Sequence, residues 1–276
     1  MSSADHIAEL PHPWGRHPLV EGETLALRLG ARDLWVRSEQ REIRLALGPD
    51  PRPGDPLPPP DQGRPTPDTE WSRWVPPETS GDLELHPSLP DRSLVLKPEN
   101  SFRLLPRAEA RVYVRVPLWI RIQLRVEGVP GGIQLTEVPT LSMSDTWWGD
   151  KVDGELAYWL PTTARREMLP GLHLLHLAAC PLQLTNRSGV ELEVEKLAFR
   201  VAHLSLFLHE GHFWADEARV TYHGEAEGST VEMSGHSPKE AEGGNLVCGP
   251  REPIVRGFRA RTFIRLRSMS GIGGDG

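Results

Sequence analysis

The sequence predicts an all-β protein, an antiparallel β-sandwich or distorted barrel with long bent strands and very little helix. Three observations predict it. Val112, Val114, Val116, Leu118, Ile120, Ile122, Leu124 and Val126 are all apolar, while Arg111, Tyr113, Arg115, Pro117, Trp119, Arg121, Gln123 and Arg125 lie between them. Period-two amphipathicity sustained this far fits a strand and is useless to a helix. Glycine and proline punctuate many shorter alternating runs, as turns between strands require. Helix signals are confined to residues 162–169, with Thr162 or Thr163 as N-cap and Pro170-Gly171 as the stop.

In chain order, residues 18–48 read as short N-terminal strands. Leu25, Leu27 and Leu29 alternate with Ala26 and Arg28, Leu34 and Val36 with Trp35 and Arg37, and Ile43, Leu45 and Leu47 with Arg44 and Ala46. Gly30-Ala31-Arg32-Asp33 supplies the first turn. Residues 49–90 change character. Thirteen of these 42 residues are proline, so the segment is expected to stay out of every ladder, as an insertion or linker. Trp71 and Trp74 inside it would pin a long loop or dock a partner.

Residues 91–267 are expected to form the main β-sandwich. The long strand expected at 110–126 should bend or have an edge at Pro117, and a strand this long usually bends from one sheet to another or pairs with two partners in succession. A second strand of this kind is expected at 254–267, where Phe258, Ala260, Thr262, Ile264 and Leu266 alternate with Arg259, Arg261, Phe263, Arg265 and Arg267. Glu191, Glu193 and Glu195 form an acidic counterpart, with a bulge expected near Lys196-Leu197. Residues 197–208 read as one covered strand, 213–223 and 229–233 as two more, and 234–250 as a loop. Residues 268–276 are expected to be a disordered tail.

Composition bounds the function. A net charge of −7 argues against a general nucleic-acid binder, and no apolar run reaches the length of a membrane-spanning helix. Residues 1–10 lack the apolar core of a signal peptide. With only Cys180 and Cys248, two free thiols in a reducing cytoplasm are expected. No phosphate loop, dinucleotide fingerprint or nucleophile elbow occurs, and no cofactor is expected. The arginine stripes would bind an anion only if Arg115, Arg121, Arg261 and Arg265 were exposed together. The expectation is that Glu191, Glu193 and Glu195 neutralise them across a sheet.

The segment Ser144-Asp145-Thr146-Trp147-Trp148-Gly149-Asp150-Lys151-Val152-Asp153-Gly154-Glu155-Leu156 is the most distinctive. It reads as a turn ahead of a strand. Thr146, Trp147, Trp148, Gly149 and Asp150 are the candidate ligand or partner contacts, since a tryptophan pair in a polar turn either wedges under a loop or forms a contact surface. Trp148→Ala is then expected to abolish partner binding and leave the fold intact. The competing reading is an enzyme acting on a carbohydrate or other small polar substrate, with Asp145, Asp150 and Glu155 as acid and base. His203, His209 and His212, with Asp216, are the candidate metal ligands, although His209-Glu210-Gly211-His212 does not match the helical zinc spacing.

Arg115-Val116-Pro117-Leu118-Trp119-Ile120, Ser144-Asp145-Thr146-Trp147-Trp148-Gly149-Asp150 and Gly154-Glu155-Leu156-Ala157-Tyr158 together resemble a prokaryotic family known only as domain of unknown function 432, over roughly residues 20–220. That family has no assigned activity, so the resemblance contributes no catalytic residues. Genomic proximity of its members to small mechanosensitive channels implies, by association alone, a role accessory to a membrane channel. The leading expectation is a non-catalytic binding or regulatory module with a protein partner. Open strand edges leave a homodimer in play.

Overall fold

The computed structural model describes residues 10–53, 55, 64–77, 81–98, 101–126, 128–149, 151–152, 154–162, 166, 174–225, 227–253 and 258–260. The protein is all-β, with several antiparallel sheets that include a half-barrel. Helix among the described residues is confined to single 3-10 turns, Val201–His203 and Lys239–Ala241.

The N-terminal strands are β1 (Gly15–Pro18), β2 (Thr24–Leu29), β3 (Arg32–Glu39) and β4 (Glu42–Leu47). Strands β2, β3 and β4 form a meander that buries Leu27, Leu29, Leu34, Val36, Ile43 and Leu45. The β2–β3 turn is Gly30-Ala31, and Gly30 has φ +64. A positive φ at the first of two turn residues is the type II′ arrangement, which selects glycine there.

The proline-rich segment does enter the ladders, contrary to expectation. It contributes β5 (Ser72–Trp74), which extends the meander beside β4, and β6 (Asp82–Ser88). Both begin in proline-free windows. Pro87 lies past the stretch of β6 that β1 covers, where a missing N–H is tolerated at a one-sided border. Trp74 packs against the main core.

The chain continues through β7 (Leu94–Pro98), β8 (Phe102–Leu104), β9 (Glu109–Pro117), β10 (Trp119–Arg125), β11 (Ile133–Pro139), β12 (Ser144–Trp148), β13 (Glu155–Thr162) and β14 (Leu177–Asn186). The predicted long strand is two strands that meet at Leu118. Strand β9 pairs with β14, and β10 pairs with β6 and β11 in another sheet. The alternation runs on unbroken because both halves face one core. At the switch Leu118 is held from both sides. Its N–H donates to the His176 carbonyl (2.9 Å), and its carbonyl accepts from the Thr140 N–H (2.9 Å) and hydroxyl (2.7 Å).

The remaining strands are β15 (Leu192–Val194), β16 (Leu197–Phe199), β17 (Leu206–His209), β18 (His212–Ala215), β19 (Ala218–Gly224), β20 (Gly228–Met233), β21 (Asn245–Cys248) and β22 (Phe258–Ala260). The irregularity expected near Lys196 is a change of sheet, since β15 pairs with β8 and β16 with β7. Residues 197–208 are accordingly two strands separated by a 3-10 turn, not one covered strand. The span 234–250, read as a loop, holds the other 3-10 turn and β21. Thr162 ends β13, and the rest of the expected helix lies largely outside the described residues. So does most of the predicted 254–267 strand, of which β22 is described, pairing with β20.

The described residues form five sheets. Their orders are β1-β6-β10-β11, β12-β13-β7-β16, β15-β8, β2-β3-β4-β5, and β21-β17-β18-β14-β19-β20-β22 with β9 added on β14. Three pairings are parallel: β13 with β7, and β14 with β18 and β19. One large apolar cluster draws on all five sheets, through residues such as Val36, Leu85, Leu96, Val114, Ile122, Leu182 and Leu192. No described helix is long and apolar enough to cross a membrane.

Candidate functional site

The distinctive tryptophan segment is itself a strand. Ser144–Trp148 forms β12, at one border of its sheet, and hairpins onto β13. Gly149, at φ +108, starts the turn. The polar Ser-Asp-Thr start hid this strand, because only its last two residues are apolar. Residues opposite one another in an antiparallel pair share a face, and alternate residues return to it. Asp145 faces Tyr158 and Trp147 faces Leu156, all on one side. Thr146, opposite Ala157, and Trp148, opposite Glu155, lie on the other.

The two tryptophans therefore separate. Trp148 is 4 % exposed and packs with Val95, Ala157, Ala198 and Trp159 in a small second core. The methyl side chains of Ala157 and Ala198 leave room for its indole. Trp147 is 54 % exposed, and its partner Leu156 is 45 % exposed. Strand β7 pairs only with Tyr158–Thr162 of β13. From the Trp147–Leu156 pair outward, β13 therefore has β12 as its ladder partner among the described residues, and Val152 at the turn is exposed too. Thr146 and Gly149 are half-buried, and Asp150 lies outside the described residues. Lys196 sits 5.0 Å from the Trp159 ring centroid, across the second face.

Two of the three candidate acid–base carboxylates, Asp145 and Glu155, are not brought together. Asp145 and Glu155 project from opposite faces of the hairpin, and each meets an arginine. Arg92 reaches Asp145 at 3.3 Å and Arg200 reaches Glu155 at 3.0 Å. Tyr158 beside Asp145 donates to Asp91 at 3.0 Å. Burial, and then that carboxylate, push its phenol up to about 12, so it stays protonated.

The histidines do not converge either. His209 and His212 face each other across the β17–β18 hairpin. His203 instead contacts the Pro253 carbonyl (3.0 Å) and Glu252 (3.3 Å). Asp216 is buried between β18 and β19, where it accepts from the backbone N–H groups of Ser205 and Gly235, both at 2.8 Å. Burial pushes it up to about 6. Among the described residues no three His, Cys, Asp or Glu side chains could hold a metal ion together. Cys180, buried, and Cys248 are both free thiols.

Arg111, Arg121 and Arg125 of the β9–β10 stripe meet carboxylates, but other ones than expected. Arg111 pairs with Glu217 and with Glu240 (2.9 Å), Arg125 with Glu84 (2.9 Å) and Arg121 with Glu137 (3.9 Å). Glu191 and Glu193 meet Arg103 instead. These partners come from strands whose order no local pattern reveals. The side chains of Arg259, Arg261, Arg265 and Arg267 lie outside the described residues.

One polar constellation escaped the sequence reading. Arg251, in the segment after β21, lies against the outer face of β6, β10 and β11. Its Nε donates to the Leu89 carbonyl (2.7 Å), Nη1 to Glu137 (3.1 Å), and Nη2 to Ser88 Oγ (3.0 Å) and to Glu137. Its guanidinium carbon lies 5.7 Å from the Trp119 ring centroid. Burial draws Glu137 upward, but Arg251, Ser88 and Arg121 together hold it below the ordinary carboxylate range. An isolated arginine in a Gly-, Glu- and Ser-rich stretch carried no signal of this.

Residues 13–268 match the family model described as Protein of unknown function (DUF432). The chain belongs to this family. The match runs on through residues 221–268, which the resemblance over roughly residues 20–220 had left out. No curated protein and no solved structure matches the DUF432 chain.

Proposed function

We propose that this DUF432 protein is a non-catalytic protein-binding module whose contact surface is the turn end of the β12–β13 hairpin, centred on Trp147. The observation that carries this reading is the Trp147–Leu156 pair, half exposed on one face of a hairpin whose other face is held by the buried Trp148 beside it. A large aromatic held on a rigid strand beside an aliphatic neighbour is the usual make-up of an interface anchor, since little side-chain entropy is lost on docking. Asp145 and Arg92 flank the pair with charges of both signs, as at an interface rim. The placement of Asp145 and Glu155 on opposite faces favours this reading over a shared acid–base role for these two residues.

The test is photo-crosslinking from position 147 in living cells, with position 246 as control. Leu246 is likewise about half exposed, at 52 %, but lies on β21 in another sheet. A discrete cross-linked polypeptide at 147 that is absent at 246 supports the reading. Equal capture at both positions, or none at 147, removes it. A partner identified as a membrane channel would give the accessory role its first direct support.

A further inference from the structure

The contacts of Arg251 come from a receptor that is complete without it. Ser88, Trp119 and Pro139 stand in register across β6, β10 and β11, and Glu137 returns to the same face two residues before Pro139. The Ser88 hydroxyl donates to Glu137 at 2.5 Å, so the carboxylate is oriented by its own sheet. Trp119 packs against Tyr158 with ring centroids 6.0 Å apart, which fixes the aromatic wall. A carbonyl, a hydroxyl, a two-oxygen carboxylate and an aromatic face then converge on one planar cation. That set matches the donor fork and flat face of a guanidinium and would serve an ammonium poorly.

The plug is attached differently. No strand spans residues 249–253. Among the described residues, and apart from the Arg251 side chain, this stretch is held by the Cys248 thiol on the Gly249 carbonyl (3.3 Å), the Glu252 N–H on the Ala202 carbonyl (3.0 Å) and the His203 contacts to Glu252 and Pro253. Withdrawing Arg251 would break no ladder.

We propose that Ser88, Leu89, Trp119 and Glu137 form a guanidinium-binding slot that Arg251 fills in cis as a displaceable plug, and that the slot takes an arginine side chain of a second polypeptide when the plug leaves. This site is separate from the Trp147 hairpin, and either can fail alone.

The test titrates N-acetyl-arginine N-methylamide into the full-length wild-type chain, Arg251→Ala, and the double variant Arg251→Ala with Glu137→Gln. Calorimetry gives the affinity. The indole N–H resonance of Trp119 reports the location, because that group is buried with no acceptor among the described residues. The expected result is saturable binding at least tenfold tighter in Arg251→Ala than in the wild type, loss of that binding in the double variant, and at least tenfold weaker binding of the lysine analogue. Equal or absent binding in a folded Arg251→Ala chain overturns the proposal. In that case Arg121, already 3.9 Å from Glu137, closes the site and Arg251 is only a staple. If Arg251→Ala does not fold, Arg251→Lys takes its place with the same criteria, since it keeps the charge and loses the fork.

Discussion

The Thr140 hydroxyl donates to the Leu118 carbonyl at 2.7 Å, at the point where the chain leaves one sheet for another. Both residues are fully buried. Thr140→Val keeps the shape and removes the donor, so it should destabilise the fold by about 1–2 kcal/mol. Thr140→Ser should lose less, because it keeps the hydroxyl. Urea midpoints at constant slope would show the difference. Equal losses in the two variants would mean that packing, and not the hydrogen bond, secures the switch.

Trp147 and Trp148 should respond oppositely to truncation. Trp148→Ala empties the second core and should cost about 3–5 kcal/mol, whereas Trp147→Ala at an exposed site should stay within about 0.5 kcal/mol. The expectation drawn from sequence put both tryptophans among the contacts and had Trp148→Ala leave the fold intact, which the burial of Trp148 overturns. Thermal melts of the two variants decide it, and a large loss from Trp147→Ala would make that residue structural as well.

Stability should fall on acidification, in part through His176. Burial, and then the charge of Arg115, push its imidazole down from 6.5 to about 4. Between those values the unfolded chain takes up a proton that the folded chain refuses. The contribution is fully present above pH 6.5 and is lost as pH falls toward 4, by up to about 3 kcal/mol. His17 and His86, also lowered by burial, add in the same sense. Asp216, raised to about 6, opposes them below that pH. Comparing wild type with His176→Gln at pH 7, 6 and 5 isolates the one residue. The variant should show the shallower decline, and parallel curves would refute the assignment.

Gly30 meets the same imidazole. A Cβ built there would lie 2.5 Å from the His176 Cγ, on a backbone at φ +64. Gly30→Ala should therefore cost at least about 2 kcal/mol, from backbone strain and overpacking together. Pairing it with His176→Ala should recover part of the loss. Strict additivity of the two substitutions would refute the steric explanation.

What could be read from the residues alone was whatever repeats with period two. Most of the 112–126 run and the leucine alternations of 25–29 and 43–47 lie in strands, because burial on one face writes itself into every second position, and Pro117, where a bend or an edge was expected, ends β9. Ser144–Trp148 was missed since a border strand with one buried residue has no such imprint. Strand order was invisible: β14 takes β9 along one edge and β18 and then β19 along the other, through backbone bonds that carry no side-chain code. The ion pairs failed for that reason, as Glu217 and Glu240, not Glu191 and Glu193, come to rest beside Arg111.

The Arg251 contact also has a direction in time. Glu137 precedes Arg251 by 114 residues and Ser88 by 163. At about 5–20 residues per second of synthesis, roughly 6–23 s separate the translation of Glu137 from that of its guanidinium partner. Through that interval the growing chain carries a carboxylate whose intended counter-ion has not yet been made, with Arg121 as the cation already in place on the neighbouring strand.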